Sequence, residues 1–224
     1  MVKNLVLVLI LLLLISGLIY YFWPKTPLDP YANIFEFKIV KTDLTDFEKD
    51  KYQKQFEAAV LALTEQPDQL DGWLTLGRVK KNLGDFKGAE LSWFKANEYR
   101  PKNSISFGNL ADLYTNFTKE YDKAEAAYIQ AIQNSLGEEH NAALYRNFYS
   151  FYFYNLEDNQ KAEATLKEGI ENNPGSSELL VLLADFYKKT SQNDQAIEYY
   201  QKALTLDPER AGELQEEIDK LQQK

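Results

Sequence analysis

Three hydrophobic patterns follow one another along the chain. Residues 5–23 read LVLVLILLLLISGLIYYFW, an unbroken apolar run. Phe35, Phe37 and Ile39 then alternate with Glu36 and Lys38. From residue 45 onward, apolar positions recur at intervals of three and four, the period of helices buried on one face. At about 1.5 Å per residue the first run measures roughly 28 Å, close to the hydrocarbon thickness of a bilayer. In that slab every backbone group must bond internally, so the run is expected to be a transmembrane helix. Tyr20, Tyr21, Phe22 and Trp23 suit the interface, and Pro24 with Lys25 marks the return to water. A cleaved signal peptide fits less well. Its apolar region is about 7–15 residues and ends at small residues, whereas Ser16 and Gly17 lie inside this run. Lys3 and the terminal amine favour a cytoplasmic N-terminus, while Lys25, Lys38 and Lys41 count against it. The expectation is a single-pass anchor with the following domain on the extracytoplasmic side.

Residues 25–44 read as a linker. Pro24, Pro27 and Pro30 block helix, and the alternation at 35–39 has a strand-like period. This stretch either packs loosely on the following domain or lies extended in that domain's own groove.

The helical region repeats. Numbered from Leu70, Trp73 stands at position 4, Leu76 at 7, Gly77 at 8, Ala89 at 20, Trp93 at 24, Ala96 at 27 and Pro101 at 32. From Ser177 the same positions hold Leu180, Leu183, Ala184, Ala196, Tyr200, Ala203 and Pro208, with Tyr187 at 11. Ser104 opens a third copy with Phe107, Leu110, Ala111 and Tyr114. Its Ala124, Tyr128 and Ala131 fit after one inserted residue. Ala143 opens a fourth, with Tyr149, Ser150 and Phe153 at 7, 8 and 11 and Arg146 in place of the large residue at 4. Ala162, Leu166, Gly169 and Pro174 complete it. Pro67 to Pro101 and Pro174 to Pro208 are each 34 residues. Pro101 to Pro174 is 73, which puts insertions in the second unit's turn and in the loop around residues 137–140. Lys80 is the one departure in the first copy, at position 11.

This pattern resembles the tetratricopeptide repeat, a pair of antiparallel helices with large residues at 4, 7, 11 and 24 and small ones at 8, 20 and 27. Small residues let the backbones approach, and large ones fill the gaps between them. One pair cannot bury its apolar face alone, so the resemblance implies an all-α, right-handed helical solenoid of about four pairs. The units span 70–103, 104–142, 143–176 and 177–208. A leading helix occupies 45–69, opened by the capping box Thr45-x-x-Glu48, and a capping helix occupies 209–224. Asp207 and Pro208 read as its N-cap and first residue, and Leu214, Ile218 and Leu221 form its single apolar stripe. Gly84 is expected to end one helix and Asp85 to cap the next.

Composition then narrows the chemistry. The balance of 25 Lys and Arg against 34 Asp and Glu gives a formal charge of −9 and no electrostatic reason to bind nucleic acid. With no Cys, thiol catalysis, disulfides and iron–sulfur ligation are excluded. His140 is the only His, so no His/Cys cluster offers a metal site, and no glycine-rich phosphate loop occurs. Asn116 and Thr118 form a sequon, a triplet common by chance, and paired acids such as Glu138 with Glu139 or Glu216 with Glu217 read as solvated surface. No cofactor and no enzymatic activity are expected.

By the same resemblance, the first helix of each pair lines a concave groove. That assigns Arg78 and Lys81 in the first unit, Asn109 and Asp112 in the second, Asn147, Phe151 and Tyr154 in the third, and Asp185 and Lys188 in the fourth. Such faces hold peptide segments through polar clamps and aromatic shelves. A carboxylate clamp for chaperone tails needs Lys and Asn at positions 5 and 9, where Leu74 and Arg78 stand. Residues 148–154 hold six aromatics. Tyr149 and Phe153 are expected inside the pair, with Phe151 and Tyr154 packing on the next unit or forming a ligand shelf. The implied function is a membrane-tethered scaffold binding a protein or peptide partner. A chaperone-like holdase for envelope assembly or secretion is the alternative, and an enzyme is disfavoured.

Overall fold

The structure is a computed structural model that describes residues 31–137 and 141–223. The apolar run 5–23, the prolines at 24, 27 and 30, and the loop residues Glu138, Glu139 and His140 lie outside the described residues. Among the described residues no helix is long and apolar enough to cross a membrane. The chain divides into two units, Met1–Glu36 and Phe37–Lys224. In the first, residues 31–35 form a turn, with Ile34 N donating to Tyr31 O at 2.9 Å.

The second unit is all helical. Helix α1 (Asp46–Glu65) opens on a capping box in which Glu48 N donates to Thr45 Oγ1 at 3.2 Å and Thr45 N to Glu48 Oε2 at 2.8 Å. Four pairs follow. They are α2 (Leu70–Asn82) with α3 (Phe86–Tyr99), and α4 (Ser104–Asp112, extended by a π-helical turn Leu113–Thr118) with α5 (Tyr121–Ser135). Then come α6 (Ala142–Ser150, extended by a π-helical turn Phe151–Asn155) with α7 (Asn159–Asn172), and α8 (Ser177–Lys189) with α9 (Asn193–Leu206). A 3-10 turn, Pro208–Arg210, leads into α10 (Ala211–Gln222). Asp207 does not cap this turn through its side chain as expected. Its Oδ2 instead accepts from Ser177 Oγ at 3.4 Å. Leu214, Ile218 and Leu221 of α10 are buried against the stack.

The notches do what their size predicts. Ala89, Ala96, Ala111, Ala124, Ala131, Ala162, Ala184, Ala196 and Ala203 are all fully buried. A Cβ at Gly77 would overlap the Trp93 indole, so only glycine lets α2 lie this close to α3. The turn between them passes through Gly84 at φ +82°, and Asp85 Oδ1 accepts from Gly88 N at 3.0 Å to start α3. Residues 37–41 run extended onto this turn. Val40 N and Lys41 N donate to Leu83 O at 2.8 and 2.9 Å, and the Phe37 ring meets Phe56 of α1 edge-on at 5.1 Å. That stretch is docked on the first helix pair rather than loosely attached.

The third unit is in a different register from the one expected. Tyr114 Oη donates to Glu90 Oε1 at 2.7 Å and Tyr187 Oη to Glu163 Oε1 at 2.6 Å, each joining position 11 to the preceding unit's second helix. The residue in that place in the third unit is Tyr152, which donates to Glu125 Oε1 at 2.7 Å. Its first helix is therefore counted from Ala142, not Ala143. Tyr145, fully buried, fills position 4 in place of Arg146, and Phe148 and Tyr149 fill 7 and 8 in place of Tyr149 and Ser150. Phe151 joins Val79, Leu113 and Phe186 at a position that is buried in every unit. The extra residue sits in the π-helical turn at the end of α6, just as the second unit's extra residue sits at the end of α4.

Candidate protein-interaction surface

The first helices of successive units touch, α2 against α4 and α6 against α8, and these contacts outweigh any between successive second helices. The first helices therefore line one wall of the stack. Polar side chains cross from one to the next on this wall. Lys81 Nζ meets Asp112 Oδ2 at 2.6 Å, and Asn116 Nδ2 in the π-helical turn donates to Asp112 Oδ1 at 2.8 Å. Arg146 Nη1 meets Glu178 Oε1 at 2.7 Å. Lys188 Nζ reaches Glu217 Oε2 on α10 at 2.6 Å and Asp185 Oδ1 at 3.6 Å. Asp185 also accepts a short hydrogen bond from Tyr200 Oη. Partial burial works against the Lys188 charge, yet Glu217 and Asp185 outweigh it and hold its pKa above the ordinary value. Lys188 and Lys220 together hold the Glu217 carboxyl below its own.

The expected groove residues thus divide. Lys81 with Asp112 and Asp185 with Lys188 are on the wall but engaged in pairs. Asn109 is half-buried and Asn147 exposed, with Asn147 Oδ1 accepting from Arg146 Nε at 3.4 Å. Arg78 is exposed and makes no ion pair or hydrogen bond among the described residues. Tyr154 is 60% exposed, with Lys189 Nζ donating to its hydroxyl at 2.7 Å and lying 5.2 Å from its ring centre. Phe151 is not on the wall. At 1% exposure it stacks among Tyr128, Phe148 and Tyr121, with centroids 5.6, 6.2 and 5.9 Å away, and forms the core between the second and third units. Phe153, expected inside its own pair, is half-buried against Phe186 of α8 at 5.7 Å.

Behind the wall, the three Tyr-to-Glu bonds clasp each unit to the one before it. Burial and then the Glu163 carboxylate push the Tyr187 hydroxyl up to about 12, and the same causes raise Tyr114 and Tyr152. At the first junction the residues change. Lys80 occupies the tyrosine's place, with its ammonium 5.6 Å from the ring centre of Phe56, the glutamate's counterpart, and paired to Asp85 at 2.8 Å. Sequence reading marked Lys80 as a departure but missed its pairing. It also missed Arg146, Glu178, Lys189 and Glu217. A search for Tyr at position 11 and Glu at position 21 would have found the clasps.

Next to the wall, at the C-terminal end of α2, a cleft of about 440 Å³ opens between the docked lead-in and the first two units. It is lined by Val40, Tyr52, Phe86 and Phe117, with Lys41, Lys81, Asn82 and Gly84 at its polar parts.

Alanine-notched helix pairs, a repeated inter-unit clasp and a wall of first helices define a tetratricopeptide-type solenoid. The tetratricopeptide repeat family profile matches residues 177–210, the fourth unit and the turn that follows it. The fold is similar to that of MamA (20% identity, TM-score 0.57, covering 77% of this chain and 99% of that one). It is also similar to PilF of Pseudomonas aeruginosa (16%, 0.58, 78% and 83%). YrrB, described as a TPR protein with an unusual peptide-binding site, is a third likeness (15%, 0.52, 73% and 81%). No curated protein sequence matches the chain significantly. At these identities the likeness is one of fold.

Proposed function

We propose that this protein is a membrane-tethered, non-enzymatic scaffold that binds a protein or peptide partner on the wall of first helices. The observation that carries the reading is the unspent polarity of that wall. The clasps and notches that hold the stack together lie behind it, whereas Arg78, Asn109 and Asn147 contribute little to packing, and Arg78 has no described ionic partner. An exposed guanidinium with no ion pair among the described residues is available to a carboxylate or carbonyl of a bound segment. YrrB, with the same fold, is described as having a peptide-binding site, which fits this use. The apolar run 5–23 supplies the tether, and Lys3 on its N-terminal side favours an extracytoplasmic solenoid.

Three measurements test this. Alkaline carbonate washing of membranes is expected to leave the full chain in the pellet; release into the supernatant removes the tether. The chain has no Cys, so a single Ser191→Cys at the exposed turn reports sidedness. Labelling of whole cells by a membrane-impermeant maleimide is expected. Crosslinking in cells is expected to capture one dominant partner, lost in Arg78→Glu with Asn147→Lys. Capture that ignores both substitutions sinks the groove.

A further inference from the structure

The cleft beside the wall and the uncompensated Arg78 belong to one face. Arg78, Lys81 and Asn82 lie three and four residues apart on α2, so they share a side of the helix. Lys81 and Asn82 line the cleft. Gly84 and Phe86 add the first unit's turn and second helix, and the other lining residues come from outside the repeat pattern. Val40 and Lys41 belong to the lead-in hydrogen-bonded to Leu83. Phe117 is in the π-helical turn that the second unit's extra residue creates. Phe117 and Phe86 rings are 5.2 Å apart, and Lys81 Nζ lies 5.2 Å from the Phe117 ring centre. Phe117 is still 44% exposed there, so the aromatic surface is open to a ligand.

The two features ask for different chemistry. The cleft is walled by Tyr52, Phe86, Phe117 and Val40 and takes an aromatic or leucine-sized side chain. Lys81 is already compensated by Asp112, and Lys41 lies 3.7 Å from Asp43. Arg78, one turn earlier, has no such partner and calls for an anion. Opposite it stands Asn109, one turn before Asp112, by the same offset that pairs Lys81 with Asp112. Arg78 and Lys81 are about 4.5 Å apart along the helix axis, and an extended peptide advances about 3.3 Å per residue. Its side chains alternate in direction, so two that face one wall are about 6.6 Å apart, and the apolar and acidic residues that fit are separated by one residue in the ligand.

We infer that the partner presents an extended segment in which an aromatic or leucine side chain enters the cleft between Tyr52, Phe86 and Phe117 while a carboxylate two residues away pairs with Arg78. This rests on the groove reading above and names the chemistry of its ligand.

The test uses the full chain in detergent and three fluorescein-labelled Gly-Ser decapeptides with one serine between successive test residues at the centre, written Asp-Phe-Asp, Lys-Phe-Lys and Asp-Ala-Asp for those residues. Fluorescence polarisation is expected to give at least tenfold tighter binding for Asp-Phe-Asp than for either control. Arg78→Glu should shift the preference to Lys-Phe-Lys, and Phe117→Ser should weaken Asp-Phe-Asp about tenfold. Both sites are exposed, and circular dichroism checks that each variant keeps its helices. Equal binding of the three peptides, no binding by any of them, or a preference unmoved by Arg78→Glu overturns the inference. If the peptides fail this way while Asn147→Lys still abolishes partner crosslinking, the groove stands and only this subsite falls. If crosslinking also ignores the wall, both readings fall.

Discussion

In the first and fourth units the first helix runs 13 residues and stops at a residue in the left-handed region, Gly84 or Ser191. In the second and third it continues through a π-helical turn to Lys119 or Glu157 in that same conformation. The Tyr-to-Glu clasp is nevertheless equivalent in the central units and the fourth, although the third unit has Tyr149 where the second and fourth have the notches Ala111 and Ala184. An extra residue is absorbed where it disturbs least, at the helix end beyond the last clasp residue, and what it adds is surface: Phe117 at the cleft and Tyr154 on the wall. A second contrast lies at the junctions. Interior ones join Tyr to Glu, whereas the first sets the Lys80 ammonium, paired within its own unit to Asp85, against the Phe56 ring of α1.

The contrast between units breaks most severely at the large residue of the second helix. Trp93→Ala in the first unit is expected to cost about 3–5 kcal/mol in chemical denaturation, and Leu166→Ala in the third somewhat less, since Tyr149 already fills part of that space. Equal losses would mean the third unit is not packed by exchanging large and small positions.

The contrast between junctions comes next. Asp85→Ala strands the buried Lys80 ammonium and removes the α3 cap, with an expected loss of about 3 kcal/mol. The double change Lys80→Tyr with Phe56→Glu installs the interior clasp at the first junction, and the same denaturation experiment should find it within about 1 kcal/mol of the parent. A large loss from the double change would show that the lead-in docked on Phe56 requires the exchanged pair.

The clasps themselves are smaller. Tyr152→Phe is expected to cost about 1–2 kcal/mol, since a hydrogen bond to a carboxylate is lost while Lys161 still pairs with Glu125 at 2.7 Å. The clasp also gives stability a pH window. Bonds from Lys161 and Tyr152 hold Glu125 below its ordinary 4.5, so its contribution is complete above that value and is lost as pH falls through the lowered one. Tyr187 is held above its ordinary 10.0, so its contribution is complete below pH 10 and is lost as pH rises toward about 12. Thermal melts should show a plateau between these limits, with the alkaline decline reduced in Tyr187→Phe.

The turns give the smallest effects. Lys119→Gly and Glu157→Gly each relieve a left-handed non-glycine residue and should stabilise by about 0.5–1 kcal/mol. Gly84→Ala should do the reverse, because its Cβ would also press on Lys41 N at 3.0 Å. Matching melting shifts of opposite sign would place the four turns in one class.

By itself the sequence determined the all-helical repeat, the number of units, the flanking helices, the capping box at Thr45 and the turn at Gly84 and Asp85. These follow from side-chain size and backbone preference at fixed local spacings, which need no knowledge of what lies across the interface. Only the tertiary structure decided the register of α6. A shift of one residue turns a helix by about 100°, and six aromatics in seven positions satisfy either register locally. The adopted register lets Tyr152 donate to Glu125 on the neighbouring unit, with Phe151 in the core and Tyr154 outside. The Lys80 pairing and the cleft were likewise invisible in one dimension: a Lys and an Asp five residues apart need not meet, and the cleft is assembled from residues far apart along the chain.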